Sequence, residues 1–292
     1  MKIMVTGATG FLGSRLAARC RAAYDVWAPT RQELDLTGPA LEEAVVRQHP
    51  QVIFHCAAVS DIGETARDPQ RSQKVNVEVP LRLAHAAQAT GAKLLLCSSD
   101  QVYCTQCLPG QAESDFLLPR HEGEELSPLP LYGQQKLLAE QRCLAVCPDA
   151  VALRLSWMYA PLTPAEQARG KGTLTGVLLR ALEEHRRTGA PVPVVFSATD
   201  YRGVTDADEV VERMLDAILL PGGAYNFGSP NTLSMAETVE RVLHRLGITG
   251  LQVQPQSGSL RNLTMDQTKL NAAGISFTET GEALAAWLEK HL

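Results

Sequence analysis

The chain begins MKIMVTGATGFLG (residues 1–13), and the reading of that stretch decides the fold. Apolar residues over Met1–Val5 predict a short buried strand, glycines follow at Gly7, Gly10 and Gly13, and SRLAARCRAA (14–23) reads as a helix. Strand, glycine turn and helix in that order make a phosphate cradle. Glycine permits a tight turn and close backbone approach, while a helix N-terminus offers N–H groups and the positive end of its dipole to a pyrophosphate.

Working outward, YDVWA (24–28) reads as a second strand and PALEEAVVRQH (39–49) as a helix. QVIFHCAA (51–58) is a third strand, and a helical stretch from Pro69 to Ala89 stops at Gly91. KLLLCSS (93–99) is a fourth strand, Thr105–Pro130 is a loop punctuated by proline and glycine, and a helix spans Tyr132–Val146. AVALRLSW (150–157) is a fifth strand. Strands alternating with helices predict an α/β protein with a doubly wound parallel sheet covered on both faces. The alternation loosens after Trp157. The expected division is therefore a dinucleotide-binding domain of residues 1–157 plus about 190–220, and a smaller, discontinuous substrate lobe of about 158–189 plus 221–292.

The 292 residues are 45% hydrophobic and 20% charged, with a net charge of −5, which disfavours a general binder of nucleic acid or anionic membrane. Any anionic ligand must be met locally. No apolar run approaches a membrane span and Met1 leads straight into a strand, so a cytoplasmic protein is expected. The seven cysteines read as free thiols of a reducing compartment, Cys56 and Cys97 among them as core residues of two strands. A four-thiolate zinc site from Cys104, Cys107, Cys143 and Cys147 is not favoured, because nothing brings the two pairs together, and no metal site is predicted.

Where the second strand ends, a carboxylate would mark NAD by hydrogen bonding the adenosine ribose. The chain has Ala28-Pro29-Thr30-Arg31 there instead, and the Arg31 guanidinium suits a 2′-phosphate, so NADP is favoured, with NAD left open. Asp35 and Leu36 are expected against the adenine. Tyr132 and Lys136, four residues apart, share one helix face, and an ammonium beside a phenol draws its pKa down toward the working range. Ser99, at the carboxyl end of the fourth strand, is placed to hydrogen-bond a carbonyl oxygen as it gains charge. His55, in an apolar strand, reads as a satisfied near-core histidine, and Asn76 as structural.

These segments resemble the extended short-chain dehydrogenase/reductase family, and within it the dTDP-4-dehydrorhamnose reductase branch. The resemblance rests on TGATGFLG (6–13), TRQELDLT (30–37), HCAA (55–58), SSDQVY (98–103), YGQQK (132–136), RLSWMYA (154–160), YRGVTDADEV (201–210) and RNLTMDQTKL (261–270). It implies a Rossmann-type sheet and a catalytic Ser99, Tyr132 and Lys136. It implies cofactor contacts from Gly7, Thr9, Gly10, Phe11, Leu12, Thr30, Arg31, Asp35, Leu36, Cys56, Ala57, Ala58, Tyr132 and Lys136. Substrate contacts are expected from Ser99, Asp100, Trp157 and Arg261, the indole stacking on a sugar ring. The implied reaction is NADPH-dependent reduction of a keto group on a nucleotide-linked deoxysugar. A homodimer and use of magnesium are left open.

The chain departs from the branch in three places. The loop from Cys104 to Leu131 is long, keeping Glu122, Glu124 and Pro128. Ser99 stands for a threonine, and Ser259-Leu260-Arg261-Asn262 for an Arg-Pro-Arg-Asn pattern. Two other readings compete: a non-catalytic NADP-binding subunit similar to the β subunit of methionine adenosyltransferase, and a sugar-nucleotide epimerase or dehydratase that retains NAD.

Overall fold

The structure is a computed structural model that describes residues 1–163 and 173–292. The first half contains β1 (Lys2–Thr6), α1 (Phe11–Arg21), β2 (Asp25–Trp27), α2 (Leu41–Gln48), β3 (Val52–His55), α3 (Ile62–Arg67) and α4 (Pro69–Gln73). A π-helical turn (Lys74–Glu78) then leads into α5 (Val79–Thr90), followed by β4 (Lys93–Ser99), α6 (Glu113–Phe116), α7 (Leu131–Val146) and β5 (Val151–Leu155). Then come β6 (Trp157–Tyr159), α8 (Leu174–Thr188), β7 (Val192–Ser197), β8 (Asp200–Arg202), β9 (Val204–Asp206), α9 (Ala207–Asp216) and β10 (Gly223–Phe227). α10 (Met235–Arg245), β11 (Leu251–Gln256), β12 (Arg261–Leu263), α11 (Thr268–Ala272) and α12 (Thr280–His291) finish the chain.

Six parallel strands form the main sheet in the order β10-β5-β4-β3-β1-β2, a Rossmann-type arrangement. The chain steps from β1 outward to β2 and then returns to the other side of β1 with β3. Such a reversal opens a crevice at the carboxyl ends of the two strands that flank it. One face of the sheet packs Ile3, Val5, Phe54 and Leu95 against Leu12 and Leu16 of α1 and Val210 and Met214 of α9. The other packs Met4, Ile53 and Leu96 against Val45 of α2, Leu83 of α5 and Cys143 of α7. Burial of each such side chain stabilises by about 1.5–3 kcal/mol, which is what makes both layers rigid supports.

The strand register moves two segments relative to the expected division. β10 pairs with β5, Gly223 opposite Val151 through Phe227 opposite Leu155, so residues 223–227 lie in the main sheet and not in the lobe. β7 pairs with β11, so residues 192–197 lie in the lobe, against Leu178, Val239 and Leu243. Length and apolar content cannot say which of two β-like runs joins which sheet; the partner strand decides. The stretch expected as one helix over Pro69–Ala89 is three helical pieces, with the π turn at Lys74–Glu78 and Gly91 closing the last in the left-handed conformation at φ 73°. Among the described residues, no helix is long and apolar enough to cross a membrane.

Candidate active site

Two cavities of about 570 and 590 Å³ lie end to end along the carboxyl edge of the sheet, sharing Gly10, Cys56 and Ala58. They meet where β1 and β3 end, the point at which the strand order reverses.

The glycine turn is built for close approach. Gly7 sits at φ +68°, and a Cβ there would lie 2.6 Å from the Ala57 nitrogen; one on Gly13 would lie 2.3 Å from the Gly7 carbonyl oxygen. Side chains are therefore excluded at both positions. α1 then begins with no side-chain cap and no acidic residue in its first turn, which suits an anion at that end. The first cavity is lined by Gly7, Thr9, Gly10, Thr30, Arg31, Asp35, Leu36, Cys56, Ala57 and Ala58, and the second by Phe11, Leu12, Tyr132 and Lys136. Every residue expected to touch the cofactor thus lines one cavity or the other.

At the adenosine end, the structure corrects the reading that no acid is present. Glu33 folds back on Thr30, accepting hydrogen bonds from its backbone nitrogen at 2.8 Å and from its hydroxyl at 2.9 Å. Those two bonds hold the Glu33 carboxyl below its ordinary pKa. The carboxylate occupies donors that a 2′-phosphate would also seek, while Arg31 stays on the cavity wall beside it. The acid was missed because it stands six residues past the strand.

At the other end, Ser99, Asp100, Tyr132, Lys136, Trp157 and Arg202 line the second cavity. Tyr132 and Lys136 share the inward face of α7, with the ammonium 5.7 Å from the phenol ring centre. Lys136 Nζ donates to the Cys97 carbonyl at 2.8 Å. Burial pulls the Lys136 pKa down. Burial also pushes the Tyr132 phenol above its ordinary range, helped by the Asp100 carboxylate and opposed by a hydrogen bond with Ser99. The direction is the reverse of the lowering expected from Lys136, and the phenol keeps its proton. His55 Nδ1 is 2.8 Å from the Thr6 hydroxyl, but its Nε2 is buried without a partner, so this histidine is only half satisfied. Burial, then Lys136, pushes its pKa down to about 3.

Two buried networks hold this end. Asn76 in the π turn accepts from Val59 N at 2.9 Å and donates to Val59 O at 3.1 Å and to Gln135 at 2.9 Å, tying the loop after β3 to α7. One turn beyond Lys136, Glu140 pairs with Arg154 of β5 at 2.8 Å and accepts from Ser98; Arg154 also donates to Tyr103, which donates to Asn226 of β10.

Arg261 departs from expectation. It lines neither cavity, because the register of β12 on β8 sets it opposite Asp200, to which it donates at 2.9 and 2.6 Å. The arginine that lines the second cavity is instead Arg202, paired with Asp100 at 2.5 Å and 5.4 Å above the Trp157 ring. Arg202 stood in the YRGVTDADEV segment, but nothing in a linear sequence marks it as the partner of Asp100.

A family model described as "RmlD substrate binding domain" matches residues 1–269. The chain belongs to that family. A dTDP-4-dehydrorhamnose reductase of Mycobacterium tuberculosis is 32% identical over 214 residues, covering 70% of this chain and 66% of the relative. The chain thus matches just under two thirds of that relative's length. The β subunit of methionine adenosyltransferase 2 from Pongo abelii is 25% identical over 296 residues, covering 94% of this chain and 83% of the relative. A solved dTDP-4-dehydrorhamnose reductase from Bacillus anthracis, in complex with NADP, has the same fold: TM-score 0.79 at 19% identity, covering 99% of this chain and 98% of that one.

Proposed function

We propose that the chain is an NADPH-dependent reductase of a keto group on a nucleotide-linked deoxysugar. The observation that carries the reading is the continuity of the crevice, a glycine-lined phosphate cradle running into a buried serine, tyrosine and lysine. Membership of the RmlD family and the reductase relatives support the same reading.

The cradle fits a dinucleotide, since Gly7 and Gly13 leave no room for a Cβ and the α1 N-terminus carries no side-chain cap. Gly7–Leu12 would hold the pyrophosphate, Thr30 and Arg31 the 2′-phosphate, and Tyr132 with Lys136 the nicotinamide ribose. When bound, NADPH supplies a hydride to the carbonyl carbon. Tyr132 then acts as the acid: its raised pKa keeps the proton on the phenol until the oxygen gains negative charge. Ser99 turns its hydroxyl from Asp100, 3.2 Å away, to that oxygen. Lys136 stabilises the phenolate left behind. Trp157, 39% exposed, offers an indole face for a sugar ring, and Arg202 beside it a charge for the substrate's polar edge.

The test is oxidation of NADPH on addition of a dTDP-4-keto-6-deoxyhexose. Turnover that requires the keto sugar is the expected result, and none across a panel of nucleotide keto sugars ends the proposal. The long match to the methionine adenosyltransferase subunit favours one competitor, a cofactor-binding partner without turnover. Copurification of an enzyme whose activity the chain alters, with no NADPH oxidation, would establish it. A cofactor that stays bound through turnover and emerges as NAD on denaturation would mark an epimerase or dehydratase.

A further inference from the structure

Cys56 and Cys97 take no part in the chemistry above. β3 and β4 pair in parallel with Phe54 opposite Leu95, so two residues on, Cys56 just past β3 comes level with Cys97. Side chains repeat direction every second residue, and both thiols join the face that holds Phe54 and Leu95. Their Sγ atoms lie 3.6 Å apart. Neighbouring strands run about 4.8 Å apart, within the roughly 4.4–6.8 Å of Cα separation that a disulfide spans. Closing the bond therefore needs side-chain rotation and little backbone travel.

The pair is also open to small reagents. Cys56 lines both cavities and Cys97 the second, at the junction of the phosphate cradle and the buried tyrosine and lysine. Of the two, Cys97 is the sulfur disposed to a thiolate: its contact with Cys56 and then the Lys136 ammonium, held on its own carbonyl, pull it below the ordinary range, while the same contact and burial push Cys56 above it.

We propose that Cys56 and Cys97 are an oxidation site that a hydroperoxide converts to a disulfide, closing the crevice to NADPH; the second clause rests on the cofactor reading above. One thiolate attacks a peroxide oxygen, the O–O bond breaks, and hydroxide or an alkoxide leaves as the sulfenic acid forms, taking up the proton the thiol had given to solvent. The second thiol attacks that sulfur, the S–O bond breaks, and the departing hydroxide takes up the thiol proton as water. The sulfurs lose two electrons and the peroxide gains them. Drawing the sulfurs from 3.6 Å to about 2.05 Å shifts both side chains at the junction of the cavities.

The reduced 292-residue chain is treated with hydrogen peroxide, alkylated and mapped by mass spectrometry, and its NADPH affinity is measured before and after. The expected result is a Cys56–Cys97 linked peptide, a mass loss of two hydrogens reversed by dithiothreitol, and affinity lowered at least roughly tenfold. Prior addition of NADPH slows the linkage. In Cys97→Ala no linkage forms, and peroxide leaves that variant's affinity where it started. Separately alkylated or sulfinic Cys56 and Cys97 overturn the site, and an equal loss of affinity in Cys97→Ala overturns its role in closing the crevice. Because linkage is read by mass, a chain that links but never binds NADPH refutes the cofactor reading while upholding the thiol pair.

Discussion

The two cavities of the crevice have nearly equal volumes and are built in opposite ways. The first is walled by the loops that follow β1, β2 and β3 and by Asp68, Gln70, Arg71, Lys74, Val75 and Val79 of the helical stretch beyond, and polar side chains such as Thr30, Arg31 and Asp35 stand in solvent. The second shares the glycine turn and the start of α1, is bordered by the exposed start of α3, and is otherwise walled by residues at or beside β4, α7, β5, β6 and β8, of which Ser99, Asp100, Tyr132, Lys136 and Arg202 are all buried. The first binds through backbone shape, which tolerates exchange of its exposed groups. In the second, each charge removed from water depends on a partner from another element, so one substitution strands another group.

The largest expected effect is at the chemical end. Tyr132→Phe removes the acid and should lower turnover by roughly 10²–10⁴ while NADPH affinity changes little, as read by steady-state kinetics and a binding titration. Retained turnover would make both cavities mere binding walls and erase the contrast.

Next is the support beneath it. Glu140→Gln leaves the buried Arg154 guanidinium uncompensated and should cost roughly 3–5 kcal/mol in denaturant unfolding. Breaking an exposed pair such as Arg19 with Glu212 should cost far less, because water screens both charges. Equal losses at the two pairs would contradict the difference drawn here.

His55 supplies the pH arm. Its native pKa lies below its unfolded value, so stability is complete above about pH 6.5. Below that the unfolded chain binds a proton the native state refuses, and stability falls by about 1.4 kcal/mol per pH unit until about pH 3. Proton NMR of the native protein should show the His55 ring not titrating near pH 6.5; ordinary titration there would overturn the assignment.

The smallest effects belong to the exposed end. Arg31→Ala should weaken NADPH roughly tenfold and leave NADH unchanged, since one charge-assisted contact to the 2′-phosphate is lost. Glu33→Gln should move the other way by a few-fold, because the carboxylate now on Thr30 competes with that phosphate. A titration in which both variants shift NADH as much as NADPH would detach the pair from the 2′ position.

The contrast also explains what was legible beforehand. A βα turn is a local object: the strand, the glycines and the helix are consecutive, and each has its own physical signature, so the cradle could be read off residues 1–23. Tyr132 and Lys136 were legible for the same reason, because one helical turn sets them on a common face. Arg202, Glu33 and the Glu140–Arg154 pair were not, since a charged residue in a sequence carries no mark of its partner. The misplacement of β7 and β10 has the same origin, for hydrogen bonds between strands are made at a distance in the chain.

By itself, the sequence determined the alternation of strands and helices, the glycine cradle, and a helix bearing tyrosine and lysine on one side. Those follow from backbone sterics and side-chain periodicity over a few residues. Only the tertiary structure decided that Arg202, not Arg261, enters the crevice, that a protonated Tyr132 faces it, and that two thiols meet at its centre. Each of these turns on register, burial or the pairing of charges, which arise when segments far apart in the chain are packed together and shut away from water.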